Sequence, residues 1–360
     1  MSPATELYNP DYNPTGIEGG VDTNLLPWIA LDEVPGMYLK PMRASAETGA
    51  YSVIVKLNAG ANIPTTVYLS GLDLTVLSGQ IIYKEGTEES HLKPGTWGYI
   101  SANSKVAEMV AVEDSEFLAN FYGAAAFLDE QGSIASILTS LDIMRLAKQH
   151  AITLVPSTLS GCMQGRAEAF TNEPEPLAIN GQDAQQLVDP ALQGSDHSGD
   201  YNHPHFVDTR QVPWLVNPDL PDIGLKILRV SEDNGMVSLI VRQNGVASAH
   251  THLGSSDFLI LNGRIGYRAG PPEGYGPGVW FFEPSGARHD ATQRVTDEDL
   301  IYTANVYGPL IFDEGKGTPV SAVLSWIEYK ALAAAFDVPL IPSNNPNDST
   351  LLASAILKSH

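Results

Sequence analysis

The stretch from Gly245 to His289 decides the fold, and it contains two groups of spaced residues: Gly245-x4-His250-x-His252-x4-Asp257-x5-Gly263 and, after fourteen further residues, Gly278-x5-Pro284-x-Gly286-x2-His289. Two histidines at i and i+2 point to the same face of a β-strand, because strand side chains alternate between faces. His289 follows a Pro-x-Gly turn and is expected on another strand. Three converging imidazoles suit a borderline divalent metal such as iron, zinc, copper or nickel. The sequence therefore predicts a metal site formed by His250, His252 and His289.

This stretch belongs to the second copy of an internal repeat. Val21-Asp22-Thr23 recurs 186 residues later as Val207-Asp208-Thr209, and Pro27-Trp28 recurs as Pro213-Trp214. Small changes of shift between blocks are what loop insertions and deletions produce, so the pattern predicts one duplicated domain. Further matching pairs keep the same order at shifts of 184 and 185 residues: Asp73 and Asp257, Gly79 and Gly263, Tyr83 and Tyr267, and Tyr122 and Tyr307.

Each copy has the pattern of an antiparallel β structure. Short β-branched and aromatic runs, such as 51–57, 237–242 and 279–283, are separated by turns rich in Gly, Pro, Asn and Asp. Each copy ends in a helical stretch, for which Ser140 and Ser325 are the predicted N-caps. The predicted fold class is mainly β, with two tandem small antiparallel barrels and a few short helices.

The composition sets limits on partners and compartment. Acidic residues outnumber basic ones by 42 to 20, and the net charge of −22 would repel phosphate backbones and anionic lipids. We therefore expect no nucleic-acid partner and no membrane association. The single Cys162 excludes an internal disulfide framework and a cysteine-rich zinc site. The first residues lack the basic and apolar segments of a secretory signal, so a cytoplasmic protein is expected.

The two groups in the stretch 245–289 resemble the two motifs of the cupin family. The first cupin motif consists of a glycine, His-x-His, an acidic residue and a second glycine. The second motif consists of a glycine, Pro-x-Gly and a histidine. The second group fits without a gap. In the first group, four residues separate Gly245 from His250, whereas five are usual in cupins. Asp257 stands where a glutamate ligand is usual. The resemblance implies a small jelly-roll-like antiparallel β-barrel with the metal inside.

The two copies are not chemically equivalent. At the positions of the three histidines, shifted by 184 and 183 residues, the first copy has Thr66, Tyr68 and Val106. Two hydroxyl side chains and a valine do not hold a transition metal, so we predict chemistry only in the second copy. The predicted organisation, in chain order, is an irregular arm at 1–20, a first domain without metal ligands at 21–150, a connector at 151–202, a metal-binding second domain at 203–340 and a tail at 341–360.

Four segments in and around the second copy carry a more specific pattern: Val207-Asp208-Thr209 with Pro213-Trp214, His250-Thr-His252, Glu283-Pro-Ser-Gly-Ala-Arg-His289, and Tyr307-Gly308-Pro-Leu-Ile-Phe-Asp313 followed by Gly317. They resemble one branch of cupins, the acetylacetone-cleaving and 2,4'-dihydroxyacetophenone dioxygenase-like proteins. The resemblance implies Fe(II) held mainly by histidines, and dioxygen that cleaves a carbon–carbon bond next to a carbonyl in a small β-dicarbonyl or hydroxy-ketone substrate.

The branch also implies roles for individual residues. The three histidines would be the iron ligands, and Asp257 would be a weak ligand or an acceptor that orients a histidine. Arg288 is a candidate anchor for a substrate anion, although such an arginine could instead pair with an acidic residue outside the barrel. Glu283 is a candidate base close to the metal, with a surface position as the alternative.

Other functions remain open from the sequence. The same scaffold could support an isomerase, lyase or hydrolase that uses Zn, Ni or Mn without dioxygen, or a sensor of small molecules without enzymatic activity. The anti-sigma type of double cupin carries an additional Cys/His zinc module, which this sequence lacks. A duplicated cupin can mimic a cupin dimer within one chain, so both a monomer and a homodimer are consistent with the repeat. A second histidine group, at His197, His203 and His205, is either a loop or a further metal site.

Overall fold

The computed structural model describes residues 20–85, 88–162, 175–181, 205–218, 220–267, 270–289, 291–313 and 318–342. Almost all of the predicted arm and tail lie outside these residues, as do His197 and His203. Within the described part of the chain, no helix is both long and apolar enough to cross a membrane. The predicted domain boundaries stay predictions.

The described residues form a mainly β structure, which confirms the predicted fold class. The first copy contains β1 (Gly20–Asp22), β2 (Ile29–Ala30), β3 (Met37–Ala44), β4 (Tyr51–Leu57), β5 (Asn62–Ile63), β6 (Thr66–Tyr68), β7 (Leu72–Ser78), β8 (Ile81–Glu85), β9 (Glu88–Leu92), β10 (Thr96–Ile100), β11 (Ser104–Val106), β12 (Glu108–Ala111), β13 (Ser115–Phe121), β14 (Ala125–Leu128) and β15 (Ile134–Leu138). The second contains β16 (Phe206–Asp208), β17 (Leu215–Val216), β18 (Ile223–Val230), β19 (Val237–Gln243), β20 (Val246–Ala247), β21 (His250–His252), β22 (Ser256–Asn262), β23 (Ile265–Gly266), β24 (Val279–Glu283), β25 (Arg288–His289), β26 (Thr292–Arg294), β27 (Ile301–Val306), β28 (Leu310–Asp313) and β29 (Val320–Leu324).

The strand pairing repeats between the copies, as the sequence repeat predicts. Within the described residues, the order β10-β7-β13-β4-β3-β2 in one antiparallel sheet corresponds to β24-β22-β27-β19-β18-β17 in the other. A second pair of sheets, β11-β6-β14-β15 and β25-β21-β28-β29, corresponds in the same way. The register matches to the residue, since Val106 lies opposite Thr66 in the first copy and His289 lies opposite His250 in the second.

The first strand of each copy pairs with the sheet of the other copy. Strand β1 runs antiparallel to β24 of the second copy, with Val21 opposite Trp280. Strand β16 runs antiparallel to β10 of the first copy, with Val207 opposite Trp97. Neither large sheet is therefore complete without a strand from the other half of the chain.

The outer faces of the two large sheets pack against each other and form a core shared by both copies. Alternation along the strands decides which side chains enter it, because neighbouring residues point to opposite faces. In β24, Trp280 and Phe282 face this shared core, whereas Phe281 faces the inside of the second barrel. The shared core contains, among others, Val21, Ile54, Leu77, Trp97, Leu118, Ile240, Leu259, Leu261, Trp280 and Phe282.

Among the described residues, three helices accompany the barrels: α1 (Ser140–Gln149), α2 (Leu159–Cys162) and α3 (Trp326–Ala335), with 3-10 turns at Thr23–Leu25 and Ala178–Gly181. Ser325 caps α3 as predicted and forms a capping box with Glu328. The prediction that Ser140 caps α1 is wrong by one residue. Thr139 is the N-cap, because its hydroxyl accepts a hydrogen bond from the backbone N–H of Asp142 and its own N–H is bonded by the Asp142 carboxylate.

A buried polar cluster lies at the centre of the shared core. Asp73 and Asp257 occupy equivalent strand positions, and the amide of Asn305 donates to both carboxylates over 3.2 Å and 3.4 Å. Tyr122 donates to Asp73, and Tyr307 donates to Asp257 over 2.6 Å. Positive charges also act between the copies, since Arg43 of the first copy lowers the pKa of Asp257 and Arg229 of the second lowers that of Asp73. The cluster thus links the two halves through hydrogen bonds and opposite charges.

The buried cluster makes stability depend on pH. Burial raises the pKa of Asp73 to about 6, from an ordinary value of 3.8, although hydrogen bonds from Tyr122, Asn120 and Asn305 partly oppose the shift. The folded protein therefore holds this proton more tightly than the unfolded chain does. Stability from this group is fully present below the unfolded pKa and is lost as the pH rises through about 6, which amounts to about 2–3 kcal/mol.

Asp73→Asn should flatten this dependence, because asparagine keeps the shape and remains uncharged. We expect the free energy of unfolding, measured with urea at about pH 4.5 and pH 8, to fall less with pH in the variant than in the wild type. The exposed Asp297→Asn serves as the control and should leave the slope unchanged. An identical slope for Asp73→Asn and the wild type would contradict the assignment.

Candidate metal centre

Three histidines converge inside the second barrel on two paired strands. His250 and His252 lie at the ends of the short strand β21, so alternation points both to the same side. His289 lies on β25, directly opposite His250. One ring nitrogen from each of the three residues lies within 4.8 Å of the other two. The structure therefore brings together all three histidines that the sequence singled out.

The imidazoles are buried and held in defined orientations. The Nδ1 atom of His250 donates to the backbone oxygen of Ser248 over 2.8 Å, which leaves its Nε2 atom available as a ligand. The Nε2 atoms of His252 and His289 are 3.3 Å apart. Burial lowers the pKa of His250 well below its usual range, and the neighbouring His289 and His252 lower it further. A neutral imidazole is the form that binds a metal.

A carboxylate stands beside the three imidazoles. This carboxylate belongs to Glu283. Its Oε2 atom lies 2.9 Å from His252 Nε2, and its Oε1 atom lies 3.5 Å from His289 Nε2. Ser256 donates to Oε2 over 2.9 Å, and Tyr267 donates to Oε1 over 3.3 Å. Although burial alone would raise the pKa of Glu283, the adjacent His289 and His252 hold it well below its usual range. Glu283 is thus at the centre, and its alternative surface position is excluded.

This donor set fits a single divalent cation. The three imidazole nitrogens with one adjacent carboxylate are of the nitrogen-and-oxygen type that iron, zinc, nickel and manganese accept. Two observations support the fit: one ring nitrogen from each histidine lies within 4.8 Å of the other two, and His252 keeps its Nδ1 atom buried without a hydrogen-bond partner. His250, His252 and His289 would hold the ion, with Glu283 next to it.

Asp257 does not join the centre, which corrects its prediction as a metal ligand and catalytic residue. Asp257 follows Ser256 on β22, and neighbouring residues on a strand face opposite sides. Ser256 points into the barrel and donates to Glu283, whereas Asp257 points into the shared core and accepts from Tyr307. The barrel-facing carboxylate comes instead from Glu283, which lies directly opposite Ser256 on the neighbouring strand.

Arg288 does not reach the centre either, which corrects its prediction as a catalytic residue. It precedes His289 on β25 and therefore faces the outside of the barrel. Its guanidinium pairs with Asp313 at 2.7 Å and donates to Thr251 over 3.3 Å. The structure therefore shows the alternative, in which Arg288 pairs with an acidic residue outside the barrel.

Two residues of the centre, Tyr267 and Ser256, are not among the predicted site residues. Tyr267 is noted in the sequence only as the repeat partner of Tyr83, and Ser256 belongs to neither motif. Part of a signal was available for Ser256, because it directly precedes Asp257 and strand alternation points neighbouring side chains to opposite faces. Only the pairing of β22 with β24 shows which of Ser256 and Asp257 faces Glu283.

The equivalent place in the first barrel is filled by apolar and aromatic side chains. Thr66 and Val106 lie opposite each other on β6 and β11, where the second copy has His250 and His289. Tyr68, at the position of His252, packs against Phe121 with ring centroids 6.1 Å apart. These side chains offer no set of imidazoles, and the first barrel has a packed interior in their place.

Comparison with known proteins places this geometry in a family. The model of the ChrR cupin-like domain (Cupin_7) matches residues 18–126 and 202–308, which together are more than half of the chain and cover both copies. No curated protein sequence matches significantly.

Solved structures show a similar fold at low sequence identity. A candidate dioxygenase from Nostoc punctiforme PCC 73102 is 14% identical, with a TM-score of 0.50 and 85% of each chain covered. A variant of the oxalate decarboxylase from Bacillus subtilis is 13% identical over 91% of this chain and 87% of its own, with a TM-score of 0.46. An acetylacetone dioxygenase from Acinetobacter johnsonii is 16% identical over 36% of this chain and 88% of its own, with a TM-score of 0.33. With both copies matched and the barrel repeat observed, the chain belongs to the ChrR cupin-like domain family and is a duplicated cupin.

Proposed function

We propose that this protein is a cupin dioxygenase that holds one divalent cation, best Fe(II), and cleaves a carbon–carbon bond of a small β-dicarbonyl or hydroxy-ketone with O2. The observation that carries the proposal is the buried group of His250, His252 and His289 with the Glu283 carboxylate beside it. The branch-specific segments around both motifs support the choice of reaction.

The charges of the site favour a particular class of substrate. Three neutral imidazoles leave the 2+ charge of the ion in place, and Glu283 compensates one unit of it. A chelating monoanion would compensate the second unit, and buried charges are strongly disfavoured unless they are balanced. The enolate of a β-dicarbonyl is such a monoanion, because it carries one negative charge and two oxygen donors.

Glu283 is the group that can take the proton when the enolate forms, and it compensates one unit of the metal charge again once that proton has passed to solvent. A divalent cation bound at the histidines would supply Lewis acidity that favours the enolate, and as Fe(II) it would also react with dioxygen. Glu283 is ionised, buried and fixed by Ser256 and Tyr267, so its carboxylate can accept a proton at Oε1 or Oε2 without leaving its position.

The proposed reaction balances without an external reductant. The bond between the central carbon and one carbonyl carbon breaks, and each of these two carbons gains one oxygen atom from O2. A β-dicarbonyl then gives one carboxylic acid and one 2-oxo carbonyl compound. The four electrons that reduce O2 come from the two carbon atoms.

The same site favours one alternative function. A fixed carboxylate next to a Lewis-acid site is also the arrangement that an isomerase uses to move a proton alpha to a carbonyl. That reaction consumes no oxygen, so oxygen uptake separates the two functions.

The metal-site assignment predicts the effect of removing one imidazole. His250→Ala should lose most of the bound metal, and the wild-type protein should be stabilised by its metal, because binding to the folded state alone adds free energy of unfolding. Elemental analysis of protein purified without added metal, with thermal unfolding before and after chelation, measures both effects. His150→Ala, at an exposed histidine, is the control and should keep its metal. Equal metal content in the two variants would show that the ligand assignment is wrong.

The reaction predicts oxygen consumption that depends on substrate and on metal. Protein loaded with Fe(II) should take up one O2 per substrate cleaved when a panel of β-dicarbonyls and hydroxyacetophenones is tested with an oxygen electrode. The zinc-loaded protein should show no uptake. Product formation without uptake would favour the isomerase, and neither uptake nor product across the panel with iron fully loaded would reject both functions.

The role of Glu283 predicts a loss of rate without a loss of fold. Glu283→Gln keeps the shape and the contact with Ser256 but cannot accept a proton, so we expect kcat to fall about 100-fold. The matched control is Glu116→Gln, which alters a buried carboxylate on β13 in the barrel without metal ligands and should leave kcat unchanged. Steady-state rates at equal iron content measure the effect, and unchanged kcat for Glu283→Gln would exclude it as the base.

A further inference from the structure

Strands β1 and β16 are called exchanged strands here, because each pairs with the sheet of the other copy. The contact between the exchanged strand β1 and the second barrel depends on one glycine. Gly20 lies directly opposite Phe281, and a Cβ atom added at Gly20 would be 2.6 Å from the Phe281 ring. That ring is held from the other side, because it stacks on Phe258 with centroids 4.7 Å apart and on Tyr267 with centroids 5.4 Å apart. The ring therefore has little room to move, and only glycine fits at position 20.

The equivalent contact in the first barrel has the same two residue types on opposite strands. There the exchanged strand β16 supplies the ring, Phe206, and the barrel's own strand β10 supplies the glycine, Gly98. A Cβ atom at Gly98 would be 2.1 Å from the ring of Phe206. This ring packs edge-on against Tyr83 with centroids 4.7 Å apart, and Tyr83 is the counterpart of Tyr267.

Both barrels therefore contain one ring at the same place, but the ring comes from different strands. Position 20 corresponds to position 206, and position 98 corresponds to position 281, so the phenylalanine and the glycine have changed places between the copies. If the second copy paired with another second copy, Phe206 would meet Phe281, and two rings would compete for one place. If the first copy paired with another first copy, Gly20 would meet Gly98, and the place beside Tyr83 would be empty.

Both mismatches are costly in a close-packed interior. Overpacking forces side chains from their preferred rotamers, and an empty place of the size of a phenyl ring leaves its neighbours without contacts. Each copy thus presents an edge that fits the first strand of the other copy and not its own.

We infer that the two phenylalanine–glycine contacts, Phe281 with Gly20 and Phe206 with Gly98, make the exchanged-strand interface specific for unlike halves. The partner of each half is the other half of the chain, and pairing of like halves from two chains is disfavoured. This inference concerns assembly and does not rest on the proposed function.

The test exchanges the ring and the glycine within one contact. Gly20→Phe and Phe281→Gly should each lower the melting temperature by about 5 °C or more, whereas the double variant G20F/F281G should recover at least half of the summed loss. Thermal unfolding is measured on chelator-treated full-length protein, so that metal binding does not contribute.

A second double variant provides a matched control. G20F/F206G has the same amino-acid composition as G20F/F281G and as the wild type, but it places two rings at one contact and none at the other. Its losses should add without recovery, and size-exclusion chromatography should show a less uniform population. Equal melting temperatures for the two double variants would overturn the inference.

Smaller substitutions keep the test decisive if Gly20→Phe fails to fold. Gly20→Ala places a methyl group against the Phe281 ring, and Phe281→Leu removes the ring atoms that it would meet. G20A/F281L should be more stable than the two single losses predict, whereas G20A/F206L should show the plain sum. Additive losses in both pairs would overturn the inference equally.

Discussion

The packing of two β-sheets back to back, with a strand exchanged in each direction, is the constraint on which the rest of this structure depends. Strands β1 and β16 each complete the sheet of the other copy, and the outer faces of both sheets share one apolar core. A fully buried residue of this core, such as Phe282, contributes roughly 1.5–3 kcal/mol through burial. Since the core draws on both copies, the barrels stabilise each other.

The candidate metal centre depends on this arrangement although all of its residues come from the second copy. Glu283 ends β24, and β24 lies between β22 of its own barrel and the exchanged β1. Hydrogen bonds on both edges fix the strand, and Ser256 and Tyr267 then fix the carboxylate beside the imidazoles. Rigid strands are suited to hold ligands in the narrow range of positions that a metal accepts. The copy without metal ligands therefore supports the centre by completing its sheet.

The duplication has kept some positions alike and changed others according to where they face. Asp73 and Asp257 face the shared core, where the two carboxylates, their tyrosine donors and the crossed arginines form one nearly symmetric cluster. Positions inside the barrels differ, because one interior holds imidazoles and a carboxylate and the other holds packed apolar and aromatic side chains. The common surface needs both copies to match, whereas each interior is free to change alone.

The sequence by itself determined the repeat, the mainly β fold and the three histidines, because strand alternation and glycine and proline turns act over a few residues. Its strand predictions at 51–57 and 279–283 agree with β4 and β24 to the residue. Only the tertiary structure decided that β1 and β16 are exchanged, that Glu283 rather than Asp257 stands beside the histidines, and that Arg288 pairs outside the barrel. These features depend on which strands lie next to each other and in which register. A shift of one residue turns a side chain to the opposite face, and pairing between strands far apart in the chain leaves no local pattern in the sequence.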